Sequence, residues 1–93
     1  MDELNAVAKR IHNIAPRPVE LTLEDGTTAT FELEWVEFFQ QEFKGEGGRV
    51  DDPDAAYRFV SSEDNESVLV GRQGPGEDGW TMLGAVLEAE PAE

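Results

Sequence analysis

Residues 19–34 read VELTLEDGTTATFELE, and their alternation decides the fold. Val19, Leu21 and Leu23 point one way and Glu20 and Thr22 the other; Ala29, Phe31 and Leu33 repeat the pattern against Thr30, Glu32 and Glu34. Alternation at a period of two marks strands with one buried face and one wet face. Between the two runs stands Glu24-Asp25-Gly26-Thr27, where Asp-Gly supplies the positive φ values of a type I′ hairpin turn. The stretch is an antiparallel hairpin, and the rest of the chain is read outward from it.

Upstream, residues 2–14 carry Leu4, Val7, Ala8, Ile11 and Ile14 at helical spacing, forming one apolar stripe. Asp2 is placed to cap this helix and Glu3 complements its dipole, while Lys9, Arg10 and His12 lie toward the negative end. Pro16 and Pro18 stop it. A signal peptide is not expected, because no positive run precedes an apolar one.

Downstream, Trp35–Phe43 admits two readings. Trp35, Phe38, Phe39, Glu42 and Phe43 fall at i, i+3, i+4, i+7 and i+8, which predicts a helical turn or short helix over 35–43. The competing reading continues the strand through a bulge, with Val36, Phe38 and Gln40 on one face. Residues 44–54, with Gly45-Glu46-Gly47-Gly48 and Asp51-Asp52-Pro53-Asp54, read as a flexible loop. Three more strands follow: Tyr57–Ser61, Ser67–Arg72, and one opening at Trp80-Thr81-Met82-Leu83 within 80–88. A turn at 63–66 and a loop at 73–79 join them, and 89–93 reads as a frayed acidic tail.

The expectation is one α+β domain over residues 1–93. Its N-terminal helix packs on a curved, mostly antiparallel five-strand sheet or partly closed small barrel. Leu4, Val7, Ile11 and Ile14 should face Val19, Leu21, Leu23, Phe31, Leu33 and Phe59.

Charge and composition then narrow the function. The 93 residues hold 21 Asp and Glu against 7 Lys and Arg, for a net charge of −14, with one histidine and no cysteine. The absence of cysteine excludes disulfide scaffolds, thiolate metal sites and Cys nucleophiles. No apolar run approaches the roughly 18 residues of a membrane span. Residues 1–18 carry three cations against two carboxylates, so the excess negative charge lies beyond them, interleaved with apolar residues. Such a surface should repel phosphate-rich partners. Its self-repulsion is largely screened in molar salt, where the Debye length is about 3 Å.

Four constellations bear on chemistry. Gly74-Pro75-Gly76-Glu77-Asp78-Gly79 matches G-x-G-x-x-G, but a dinucleotide site needs a helix to follow and a strand follows here. Asp51, Asp52 and Asp54 promise no more than weak, non-specific cation binding, because Pro53 and Ala55 break an EF-hand series. His12 with Ser61, Ser62 or Ser67 lacks any Gly-x-Ser-x-Gly elbow. Lys9, Arg10, Arg17, Arg58 and Arg72 would bind nucleic acid only if gathered on one face, with Tyr57 stacking a base. No catalytic, metal or cofactor residues are assigned, and an enzyme is not expected.

The aromatics carry more. Phe31, Phe38, Phe59 and Trp35 belong by default to the core. Trp35, Phe38, Phe39 and Phe43 crowd into nine residues, and at least one of Phe39 and Phe43 should stay exposed as a partner site.

In composition the chain resembles the small acidic proteins of haloarchaea, which implies a cytoplasmic protein of a salt-rich cell. Residues 17–43, with a strand, the Asp25-Gly26 turn and a bent second strand after an N-terminal helix, are similar to Sm-like and SH3-like small barrels. The later Arg-Gly motif of the RNA-binding rings is represented only by Gly71-Arg72, in reversed order, so the similarity implies architecture and carries over no RNA-site residue. The function expected is a non-enzymatic protein–protein interaction or regulatory module, acting through a protein partner or a homo-oligomer. A nucleic-acid-binding small barrel is the alternative.

Overall fold

A computed structural model describes residues 6–39, 42–63 and 66–92. Helix α1 (Ala6–Ile14) is followed by strands β1 (Val19–Leu23), β2 (Thr28–Phe39), β3 (Glu42–Arg49), β4 (Asp52–Ser61), β5 (Val68–Gln73) and β6 (Thr81–Pro91). Leu4 and the expected cap Asp2 lie outside the described residues.

Every strand pairs antiparallel with the next in sequence, and β6 returns to pair with β1, so the sheet closes as an up-and-down barrel. Closure leaves the meander without a lone edge strand. The interior is filled by the period-two residues: Val19, Leu21 and Leu23 from β1, Phe31 and Leu33 from β2, Tyr57 and Phe59 from β4, and Val68, Val70 and Val86 beyond them. Phe31 anchors this core, its ring edge-on to Tyr57 at 5.3 Å and to Phe59 at 5.5 Å. Edge-to-face pairs add roughly 0.5–1.5 kcal/mol each beyond the area they bury.

Helix α1 buries Ala8, Ile11 and Ile14, one per turn, and packs chiefly on β6. Arg10 Nε donates to the Ala89 carbonyl at 3.0 Å, and the His12 ring lies 5.3 Å from Phe38. The helix therefore covers the barrel near the β2–β3 hairpin. At its C-terminus, Arg17 returns both its backbone N–H and its Nε to the Ile14 carbonyl.

Four expectations are corrected. Residues 35–39 and 42–43 form no helix: they are the end of β2 and the start of β3, and Gln40 lies outside the described residues. Leu33 faces Gly47 while Trp35 faces Glu46, so Glu34 is an extra residue, and this bulge reverses the parity of the strand. Helical and bulged-strand spacings coincide over nine residues, and strand pairing decides between them. The loop expected over 44–54 is the body of β3, a tight turn and the start of β4, giving six strands rather than five. The tail from residue 89 is ordered to Pro91, because Val19 and Glu20 pair with Pro91 and Glu90, and Ala89 is buried.

Fourth, the first hairpin turns on three residues rather than two. Leu23 N donates to the Thr27 carbonyl and Gly26 N to the Leu23 carbonyl, with Gly26 at φ 92°. That is a turn closed by a left-handed glycine, the common three-residue loop. Asp25 Oδ1 accepts from Thr27 N at 2.9 Å, and its bonds to Thr27 lower the Asp25 pKa. Glu24 fastens the loop to β6, donating its N–H to the Ala85 carbonyl and accepting Ala85 N–H on Oε2, each at 2.9 Å.

Candidate functional site

The bulge at Glu34 sets the outer wall. Beyond it Val36 and Phe38 turn toward the core, and Trp35, Glu37 and Phe39 turn out. Cross-strand register then continues around the barrel from Trp35 to Glu46, Arg58, Gly71 and Met82. Arg58 Nη2 stands 3.7 Å from Glu46 Oε2, and its guanidinium carbon lies 4.4 Å from the centre of the Trp80 ring. Trp80 lies over Gly71, where a Cβ would be only 3.7 Å from the ring.

Two adjoining concavities share Trp80 as a wall. One, of about 250 Å³, is apolar, lined by Val60, Leu69 and Met82 with Arg58 at its rim. The other, of about 450 Å³, lies over Gly47 and Gly48 and brings Glu34, Glu46 and Asp54 together. Trp35 is 42% exposed, Trp80 38% and Met82 59%. Trp80, Met82, Arg58 and the carboxylates of the groove thus share one stretch of the wall, and Trp35 lines neither concavity.

A separate polar cluster sits where β3 turns into β4. The Tyr57 hydroxyl donates to Asp52 Oδ2 at 2.8 Å, and Arg72 Nε donates to the same oxygen at 2.8 Å. The Arg72 bond, then that of Tyr57, lowers the Asp52 pKa, while burial first and Asp52 second raise that of Tyr57. Arg49 pairs with Asp51. Asp52 and Tyr57 are thus each partnered within the cluster, and Arg72 ties β5 to the start of β4.

The sequence-derived candidates are distributed as follows. Of the four aromatics proposed for a partner, Phe39 is 65% exposed and Trp35 also faces out, whereas Phe38 is half-buried and Phe43 lies wholly inside the barrel. Trp35 is thereby removed from the expected core. The five basic residues do not gather: Lys9 and Arg10 are on α1, Arg17 is at its end, Arg58 faces outward and Arg72 is tied to Asp52. Tyr57 is buried and offers no ring to a base.

Asp51, Asp52 and Asp54 diverge, the first two to Arg49 and Arg72 and the third into the acidic groove. Among the described residues, no three His, Asp or Glu side chains are placed to hold a metal ion. Ser61 Oγ accepts from Phe43 N, Ser62 Oγ accepts from Ser67 N, and Ser67 Oγ donates to the Val86 carbonyl. All three serines thus serve the backbone. In the glycine-rich stretch, Gly74 N donates to Glu77 Oε1 at 2.9 Å, so a carboxylate fills the place a phosphate would need, and β6 follows.

Trp80 and Met82 were the residues sequence reasoning missed. Their spacing of two, opposite a valine–leucine–valine strand, was the available sign that both leave the barrel on one face. No helix among the described residues is long and apolar enough to cross a membrane. The closed barrel is compatible with the small-barrel similarity of residues 17–43. Comparison with curated proteins and with solved structures gives no match. The family model for a domain of unknown function, DUF8072, matches residues 1–93, and the chain belongs to that family.

Proposed function

We propose that the domain is a non-catalytic protein-interaction module of a salt-rich cytoplasm, and that its binding surface is the outer wall carrying Arg58, Trp80 and Met82. One observation carries this reading: a barrel with a well-filled interior leaves Trp80 and Met82 exposed together around one apolar concavity on its outer wall. Leaving such side chains partly in water forfeits a share of the roughly 1.5–3 kcal/mol that full burial of each provides. Trp, Met and Arg are also the residues enriched where proteins meet. The scatter of the five basic residues argues against the nucleic-acid alternative, and the mutual satisfaction of Asp52, Tyr57 and Arg72 argues against an enzyme.

The test compares wild type, Trp80→Ala and Met82→Ser as bait in lysate of a halophile at molar potassium chloride. Circular dichroism checks that each variant is folded. A protein retained by wild type and lost from both variants is the expected result. Equal retention by all three would overturn the reading.

A further inference from the structure

We infer that the partner presents a basic segment with an apolar anchor, the anchor seated against Trp80 and Met82 and the cation against Glu34, Glu46 and Asp54. This inference rests on the docking reading and adds to it the chemistry of the occupant. The two concavities have opposite characters yet share Trp80, so one short extended segment can span both. Val60, Leu69 and Met82 offer only apolar surface, which suits a leucine- or methionine-sized side chain.

The acidic groove places three carboxylates around a floor of Gly47 and Gly48; Glu46 stands 3.7 Å from Arg58, and among the described residues Glu34 and Asp54 have no Lys or Arg paired with them. The protein's own Arg58, lodged between Glu46 and Trp80, shows which group this wall accepts: a planar cation over the ring and beside a carboxylate. Charge complementarity also chooses among occupants. A second copy, itself carrying a net −14, would be repelled as a whole, and a phosphate-bearing ligand would meet Glu34, Glu46 and Asp54 directly.

The experiment uses the Trp35→Phe variant, which leaves Trp80 as the single tryptophan and makes its fluorescence report on the shared wall. Three synthetic peptides of equal length are titrated at the lowest salt at which circular dichroism shows the fold. One alternates leucine with arginine, one replaces arginine by glutamate, and one replaces leucine by serine. The leucine–arginine peptide should shift Trp80 emission saturably, and each replacement should weaken binding at least tenfold.

The exposed double substitution Glu34→Gln/Asp54→Asn should weaken the leucine–arginine peptide by roughly threefold to tenfold, as expected for screened ion pairs. Met82→Ser should weaken it comparably. No saturable shift, tighter binding of the glutamate peptide, or full affinity in both groove variants would each overturn the inference. So would a concentration-dependent dimer in light scattering that Met82→Ser abolishes, which would place a second copy on the wall. If a captured protein depends on Trp80 yet no basic peptide binds, the docking reading stands and the partner chemistry falls. If capture is indifferent to Trp80, the docking reading itself falls.

Discussion

Gly47 shows how a single side chain can be excluded by the backbone of a neighbouring strand. A Cβ there would lie 2.1 Å from the Glu32 carbonyl oxygen and 2.7 Å from the Leu33 Cα, because the bulge at Glu34 pushes β2 against β3. Its neighbour Gly48 has nothing within 4 Å of the same position. Gly47→Ala should therefore cost about 1–3 kcal/mol or more through overpacking, and Gly48→Ala should stay within about 0.5 kcal/mol. Urea unfolding of the two variants checks this, and equal midpoints would show that β2 and β3 do not meet as described. Asp52 offers a second test at this scale. Arg72 and Tyr57 hold its carboxyl below the usual range, so it stabilises the fold above the unfolded pKa near 4 and loses that contribution as pH falls through its folded value. Asp52→Asn should melt below wild type at pH 6, with the gap closing as pH falls below about 4 and through the lowered folded pKa. A gap independent of pH would mean that Asp52 does not act through its charge.

Among the elements, β1 and β6 show what the sequence disclosed and what it hid. The hairpin at 19–34 was legible because its apolar face has a strict period of two and all its inward residues in β1 are buried. Strand β3 was not legible. Its glycines usually signal a loop, and here Gly45 and Gly47 permit the close approach of β2, a tertiary cause that local propensity does not contain. The site was half legible for a related reason. Trp35 and Phe39 stand out in the sequence, but the parity that turns them outward and Phe43 inward is set by one bulge residue, and Trp80 joins the wall only through pairing of β5 with β6. The pairing of β1 with β6 contains a weak seam. Glu20 on β1 lies directly opposite Glu90 on β6, and both are exposed. Like charges facing across strands destabilise by roughly 0.2–1 kcal/mol, so Glu90→Lys should raise stability by about that amount at low salt and by less at molar salt. The measurement is thermal unfolding at two potassium chloride concentrations. A loss of stability at low salt would place Glu90 elsewhere than opposite Glu20.

For the whole molecule, the net charge of −14 on 93 residues governs the conditions under which the barrel exists. The core is small, and outward positions such as Glu20, Glu32, Glu37, Glu88 and Glu90 surround the barrel with carboxylates. Only three ion pairs, among the described residues, offset them. Most of this repulsion acts over distances longer than one strand spacing, so salt should remove it in a characteristic order. The Debye length is about 30 Å at 0.01 M, about 10 Å at 0.1 M and about 3 Å at 1 M. The melting temperature should therefore rise steeply between 0.01 and about 0.5 M potassium chloride, then flatten as screening saturates. Above that concentration any further gain should depend on the salt. Sulfate, which is excluded from protein surfaces, should continue to raise the melting temperature where chloride no longer does. Calorimetry in potassium chloride and potassium sulfate at matched ionic strength separates the two effects. A melting temperature flat from 0.01 to 1 M would mean that the charges do not limit stability, and the salt-rich setting would lose its physical basis. The same screening acts on the outer wall. Salt that stabilises the barrel weakens any contact made through Glu34, Glu46 and Asp54 while strengthening the apolar contact at Trp80 and Met82. A partner adapted to molar salt should therefore hold on mainly through its apolar anchor, with the cation contributing more to orientation than to affinity.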